Sequence, residues 1–133
     1  NCFTVNEGDL HVQNVRVRYN ECDPMGVAHH SIYPVWFEQG RTEMLRADGG
    51  RYRDLEAQGM FLAVVKLSVT YRSPARYDDT ISIETKVTRL GRAKIKHEYT
   101  LRREGEVLAT GATTLACIDR EGRVQEVPDV LSG

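Results

Sequence analysis

Apolar and polar residues alternate from Gln13 to Tyr19, with Val15, Val17 and Tyr19 on one face and Asn14, Arg16 and Arg18 on the other, which is the period of a half-buried strand. This strand runs into a loop holding Asp23-Pro24-Met25-Gly26. Beyond the loop the period lengthens: Tyr33, Trp36, Phe37, Gly40, Met44 and Ala47 recur at helical spacing and form an apolar stripe. The stripe predicts a helix that starts near Ser31 as N-cap, tolerates Pro34 in its first turn and stops at Gly49-Gly50. Gly40 lowers helix propensity but lets the backbone come close to a sheet. A second short helix is expected over roughly Arg51 to Gln58.

From Met60 onward, alternating β-branched segments return at Phe61 to Tyr71, Ile81 to Thr88, Ala93 to Leu101 and Val107 to Ile118. Pro74, Tyr77-Asp78-Asp79, Gly91 and Glu104-Gly105-Glu106 punctuate them, and the connections at Gly91 and Gly105 have hairpin length. The order strand, helix, four antiparallel strands describes an α+β fold in which one long helix has a single sheet to pack on. A sheet of about five strands curled around one helix leaves a free edge, so at least a homodimer is expected, and a dimer of dimers is compatible with the same pattern.

At 133 residues, with no internal repeat or linker, one domain spanning 1–133 is expected. The net charge of -1 gives no general attraction for nucleic acid, and phosphate recognition must come from a local cluster of Lys and Arg. No apolar run approaches the length of a membrane span, and the first residues lack a signal-peptide pattern, so a cytoplasmic location is expected. Cys2, Cys22 and Cys117 are odd in number and form no CxxC pair, which argues for reduced thiols over a disulfide framework or structural zinc.

Several residues can carry chemistry. Asp23 lies in a constrained turn before a helix, flanked by Met25, Val27 and Ala28. An enclosed carboxylate there suits a general base, and an Asx-turn or helix-cap role fits the same pattern. His29-His30 stands at the helix entrance, where free backbone N–H groups can stabilise an oxyanion. Adjacent side chains are expected to point in different directions, and the spacing of Cys22, Asp23 and either histidine matches no standard zinc pattern, so no metal is expected. Glu38 and Glu43 lie off the apolar stripe and serve as reserve carboxylates or as salt-bridge partners. The densest basic cluster surrounds Gly91: Lys86, Arg89, Arg92, Lys94 and Lys96. Arg92 and Lys94 suit a nucleotide phosphate or a merely solvated strand face. His97 falls on the apolar face with Ile95, Tyr99 and Leu101, the place of a core or interface histidine.

The run Arg18-Tyr19-x-Glu21-Cys22-Asp23-Pro24-Met25-Gly26-Val27-Ala28-His29-His30-x-x-Tyr33-x-x-Trp36-Phe37-Glu38, together with Val69 to Asp79, resembles the 4-hydroxybenzoyl-CoA thioesterase family, and within it the YbgC-like acyl-CoA thioesterases. The resemblance covers about Val15 to beyond Ile118 and implies the hotdog fold. It also implies hydrolysis of an acyl-CoA or acyl-carrier-protein thioester to free acid and thiol, without a cofactor, at sites lying in a dimer interface. It further implies that Asp23 is the catalytic base or nucleophile, that His30 is the histidine of the YbgC-like branch, and that an amide at or beside His30 polarises the thioester carbonyl. His29 falls where a tyrosine is common. Arg92 corresponds to a family residue that contacts CoA phosphates; Gly91 and Ala93 replace basic neighbours, and Lys94 is a substitute for them. The acyl pocket is expected to include Met25, Tyr33, Val64 and Val65. A non-catalytic acyl-CoA or acyl-carrier-protein binding module, or a dehydratase or hydratase, shares such a fold, but the Asp23 motif favours hydrolysis.

Overall fold

The computed structural model describes residues 7–47, 56–57 and 59–126. Strand β1 is Leu10–Arg16, helix α1 is Ile32–Ala47, and β2 (Phe61–Tyr71), β3 (Thr80–Leu90), β4 (Lys94–Arg103) and β5 (Glu106–Ile118) follow. All pairings are antiparallel, and the five-stranded sheet has the order β1-β3-β4-β5-β2. The four later strands lie where alternation places them, each within two residues at either end. A two-residue turn, Glu104-Gly105, joins β4 to β5, and the Gly91 N–H donates to Lys94 O at 2.8 Å to close the turn between β3 and β4.

The first strand is displaced from its expected position. Alternation places it at Gln13 to Tyr19, but β1 ends at Arg16 because the next residue leaves the ladder. The Val17 N–H donates to Asp79 O at 2.9 Å, and Tyr19–Glu21 then wind into one 3-10 turn. Val17 is buried as expected, whereas Tyr19 is 80% exposed. The inward face of β1 is His11, Gln13 and Val15.

Helix α1 begins one residue after Ser31 and packs on β1 and β3. Tyr33, Trp36, Phe37, Gly40 and Met44 are buried as the stripe requires; Ala47 is exposed, and Arg41 and Leu45 are buried in addition. A Cβ at Gly40 would fall inside Thr85 Oγ1 and 2.8 Å from Ile83 Cγ2, so the glycine sets how closely helix and sheet approach. The Gly49-Gly50 stop lies outside the described residues, as does almost all of the expected second helix.

Two apolar groups fill the space between helix and sheet. One gathers Tyr33, Trp36, Phe37, Ile81, Tyr99 and Leu108, with the Phe37 ring stacked on Tyr99 at 4.4 Å; the other gathers Met44, Leu45, Val87 and Ile95. Between them, Arg41 on the helix and Thr85, His97, Tyr99 and Thr113 on the sheet are buried and polar. Arg41 donates to Tyr99 Oη at 3.5 Å, which lies 2.6 Å from Thr113 Oγ1, while His97 Nδ1 and Thr85 Oγ1 have no partner among the described residues. His97 is therefore a core histidine. Burial first, and then the nearby Arg41 charge, push its pKa down to about 4, so the ring is neutral near pH 7.

Candidate active site

The loop from Val17 to Ser31 is held at both ends. The Arg18 N–H donates to the Glu21 carboxylate at 2.8 Å, and Glu21 O accepts the His29 N–H at 2.8 Å. Inside this frame Asp23 organises a turn: its Oδ1 accepts the Met25 N–H at 2.9 Å and the Val27 N–H at 3.4 Å. The Asp23 N–H donates to Val27 O, and the Gly26 N–H donates to Asp23 O. Gly26, at φ 79°, supplies the left-handed residue that closes the reversal. The local Asx-turn role is thus real, and it occupies only one carboxylate oxygen. Oδ2 has no hydrogen-bond partner among the described residues.

Asp23 lines a cavity of about 350 Å³ together with Ala28, His30, Tyr33, Tyr71 and the segment from Arg72 to Pro74. Its far wall is built by long-range pairing. The Ala28 N–H donates to Ala75 O at 2.7 Å, the Tyr77 N–H to Gly26 O at 3.3 Å, and the Ala75 N–H to Tyr33 Oη at 3.2 Å. Burial, ahead of the opposing Ala75 amide bond, raises the Tyr33 phenol pKa, so this ring enters the site as a neutral hydrogen-bonding group. Tyr71 Oη donates to His30 O at 2.8 Å and its ring meets Tyr33 edge-on at 4.9 Å. Met25, expected beside the carboxylate, is 84% exposed, so within one chain Ala28 and Tyr33 supply the apolar flank.

The two histidine rings do not diverge as adjacent side chains were expected to. Their centroids are 4.1 Å apart, tilted by 33°, because Ser31 captures one of them. The Ser31 N–H donates to His29 Nδ1 at 3.2 Å, and its Oγ lies 2.7 Å from the same nitrogen. A backbone N–H can only donate, so His29 Nδ1 is an acceptor and a neutral ring carries its proton on Nε2. His30 lines the cavity, and its backbone N–H has no acceptor among the described residues.

Other expected site residues lie elsewhere in the single chain. Val64 and Val65 sit at the free edge of the sheet, 45% and 56% exposed, with Val65 in a bulge between Val64 and Lys66. Arg92 and Lys94 line a second groove of about 450 Å³ with Arg89, Ala93, Lys96 and Thr114. That groove lies at the Lys94 end of β4, whereas Arg103, at the other end, touches Pro74 of the Asp23 cavity. Ten residues of strand separate the two by about 30 Å. The reserve carboxylates are committed: Glu38 pairs with Arg41 at 3.7 Å and Glu43 with Arg46 at 2.6 Å.

The chain matches the thioesterase-like superfamily model over residues 17–133. It belongs to that superfamily. It is 31% identical over 115 residues to the putative acyl-CoA thioesterase YneP of Bacillus subtilis, covering 84% of this chain and 83% of that protein. It is 35% identical over 106 residues to the acyl-CoA thioesterase YbgC of Haemophilus influenzae, covering 79% and 78%. A DHNA-CoA thioesterase from Staphylococcus aureus superposes with a TM-score of 0.85 at 31% identity, over 88% of this chain and 80% of that one. The architecture is the hotdog fold, and the chain is a YbgC-like thioesterase.

Sequence reasoning missed Tyr71 as a cavity residue and the whole Ser73–Ala75 wall. Tyr71-Arg72-Ser73-Pro74 reads as the end of a strand and a turn, and no local signal says that this turn folds back onto residues 26–28.

Proposed function

We propose that this enzyme hydrolyses acyl-CoA thioesters, with the Asp23 carboxylate acting at the thioester carbonyl. One observation carries the reading: Asp23, whose carboxylate is fixed through Oδ1 by two amides with Oδ2 unclaimed among the described residues, lines the same cavity as His30, whose backbone N–H is unclaimed. In hydrolysis a water oxygen bonds to the carbonyl carbon while Asp23 takes the water proton; the C–S bond then breaks, and the thiolate leaves and is protonated. Direct attack by Asp23 would instead form an anhydride that water then opens. In both courses negative charge gathers on the carbonyl oxygen, where a fixed N–H at the start of a helix stabilises it.

The basic groove supports CoA recognition, and its distance from Asp23 in one chain supports a shared site. Antiparallel pairing of two β2 edges about their middles would set the Tyr71 end of one strand beside the Phe61 end of the other. Phe61 pairs with Ile118, at the same end of the sheet as the Lys94 to Ala116 pair. The partner's basic hairpin then lies near the Asp23 cavity, and Val64 and Val65 enter the interface. This is the arrangement a homodimer requires to bind nucleotide phosphates with Arg92 and Lys94 and the acyl thioester with Asp23. A thiol-release assay over an acyl-CoA and acyl-carrier-protein panel, run beside Asp23→Asn, tests the reading; turnover by the variant equal to wild type would sink it.

A further inference from the structure

Outside the cavity, the segment from Arg72 to Asp79 is held by an exposed Arg16 contact at Asp78 and, more extensively, by the Arg103 guanidinium. Arg103 Nη1 donates to Asp79 Oδ2 at 2.7 Å and to Pro74 O at 3.3 Å, while Nη2 donates to Glu106 Oε1 at 2.8 Å. Glu106 Oε2 in turn accepts Ser73 Oγ at 3.1 Å, and Asp79 Oδ2 also accepts the Arg76 N–H at 2.8 Å. Arg103 and Asp79 are each about one quarter exposed, so solvent screens this pair less than the open Arg16–Asp78 pair, in which both side chains are more than 60% exposed. Burial alone would raise the Asp79 carboxyl; the Arg103 hydrogen bond, the Arg76 amide and the two guanidinium charges outweigh it and hold the group below its ordinary value.

The inner side of the same segment is what carries the Asp23 turn. Ala75 O accepts the Ala28 N–H and Gly26 O accepts the Tyr77 N–H, so any shift of residues 74–77 is passed to residues 26–28, whose Val27 amide holds Asp23 Oδ1. Arg103 thus touches none of the reacting groups and yet braces the wall on which they are mounted. We propose that Arg103 is a positioning residue for catalysis, locking the 72–79 segment so that the Asp23 carboxylate and the His30 amide keep one mutual geometry. The proposal rests on Asp23 as the reacting group. It is one planar fork satisfying a carbonyl and two carboxylates at once, which the single ammonium of lysine cannot reproduce. A displacement of about 1 Å at a reacting group is enough to cost on the order of 100-fold in rate.

The test compares Arg103→Met, Arg103→Lys and Asp79→Asn with wild type, using thioester turnover and site-resolved amide hydrogen exchange. In Arg103→Met, kcat is expected to fall at least tenfold with KM within twofold, Arg103→Lys recovering part of the loss. The Ala28 and Tyr77 amides are expected to exchange at least tenfold faster, with the central β3 and β4 amides unchanged. In an Asp23→Asn background the Arg103→Met change is expected to cost nothing further, because the group it positions is gone. A purely structural role would lower both backgrounds by the same factor and speed exchange throughout the sheet, and either result overturns the proposal. Unchanged exchange at Ala28 and Tyr77 overturns it as well. Wild-type turnover by Asp23→Asn with accelerated exchange in Arg103→Met defeats the catalytic role of Asp23 while leaving the mechanical link standing.

Discussion

The Asp23 cavity and the Arg92 groove, at opposite ends of the sheet, hold their functional candidates in different ways. At the Asp23 end a set of hydrogen bonds ties the cavity walls together: Asp23 to Met25 and Val27, Tyr71 to His30, Tyr33 to Ala75, Arg103 to Pro74, Asp79 and Glu106. At the Arg92 end the backbone turns are hydrogen-bonded but the basic side chains of the groove are loosely held: one 3.8 Å contact joins Arg92 to Glu126, both more than three-quarters exposed, and Lys94 and Lys96 are exposed. Under the function proposed above, the difference follows from two tasks. Stabilising charge that develops at one atom needs donors fixed before the reaction begins, whereas collecting a multiply charged phosphate group needs only a field of cations, which works at a distance and weakens with salt.

The sharpest way to break this comparison is Asp23→Asn. The amide oxygen can still accept from Met25 and Val27, so the turn is kept and the oxygen proposed to react is lost. Turnover is expected to fall by about 10³-fold or more while circular dichroism and melting stay near wild type.

His97, midway along β4 between the two ends, tests the scaffold they share. Its folded pKa of about 4 lies below the ordinary 6.5. Between those values the unfolded chain binds a proton that the folded chain refuses, so stability declines as the pH falls through that window, by on the order of 3 kcal/mol. Urea titrations from pH 7 to pH 4 measure the slope, and His97→Gln is expected to flatten it.

Smaller effects belong to the basic end. Arg92→Ala with Lys94→Ala is expected to raise KM for acyl-CoA about tenfold with kcat within twofold, and raising the salt from about 0.05 to 0.5 M should mimic part of that rise in wild type. A loss confined to kcat would show that this end is not a collector. Tyr71→Phe has the mildest expected outcome: without its bond to His30 O the helix entrance loosens, and kcat drops about fivefold, measured by steady-state kinetics.

The legibility of these features in the sequence followed the range of the forces behind them. Strand alternation and the α1 stripe are local consequences of burying one face, so β2 to β5 and five of the stripe's six positions could be read directly, as could the Asp23 turn, whose hydrogen bonds span four residues at most. β1 was misplaced because its end is set by Asp79, far along the chain, and no local signal marks Arg41 as buried, because the Tyr99 hydroxyl it meets lies 58 residues away. What the tertiary structure alone decided is which ends come together. The order β1-β3-β4-β5-β2 brings Arg103 onto Asp79 and Pro74 and folds Ala75 onto Ala28, and it sends Arg92 and Lys94 to the far end of the same sheet. No residue in those pairs marks its partner in the sequence, since charge and hydrogen-bond pairing depend on distance in space and carry no period along the chain.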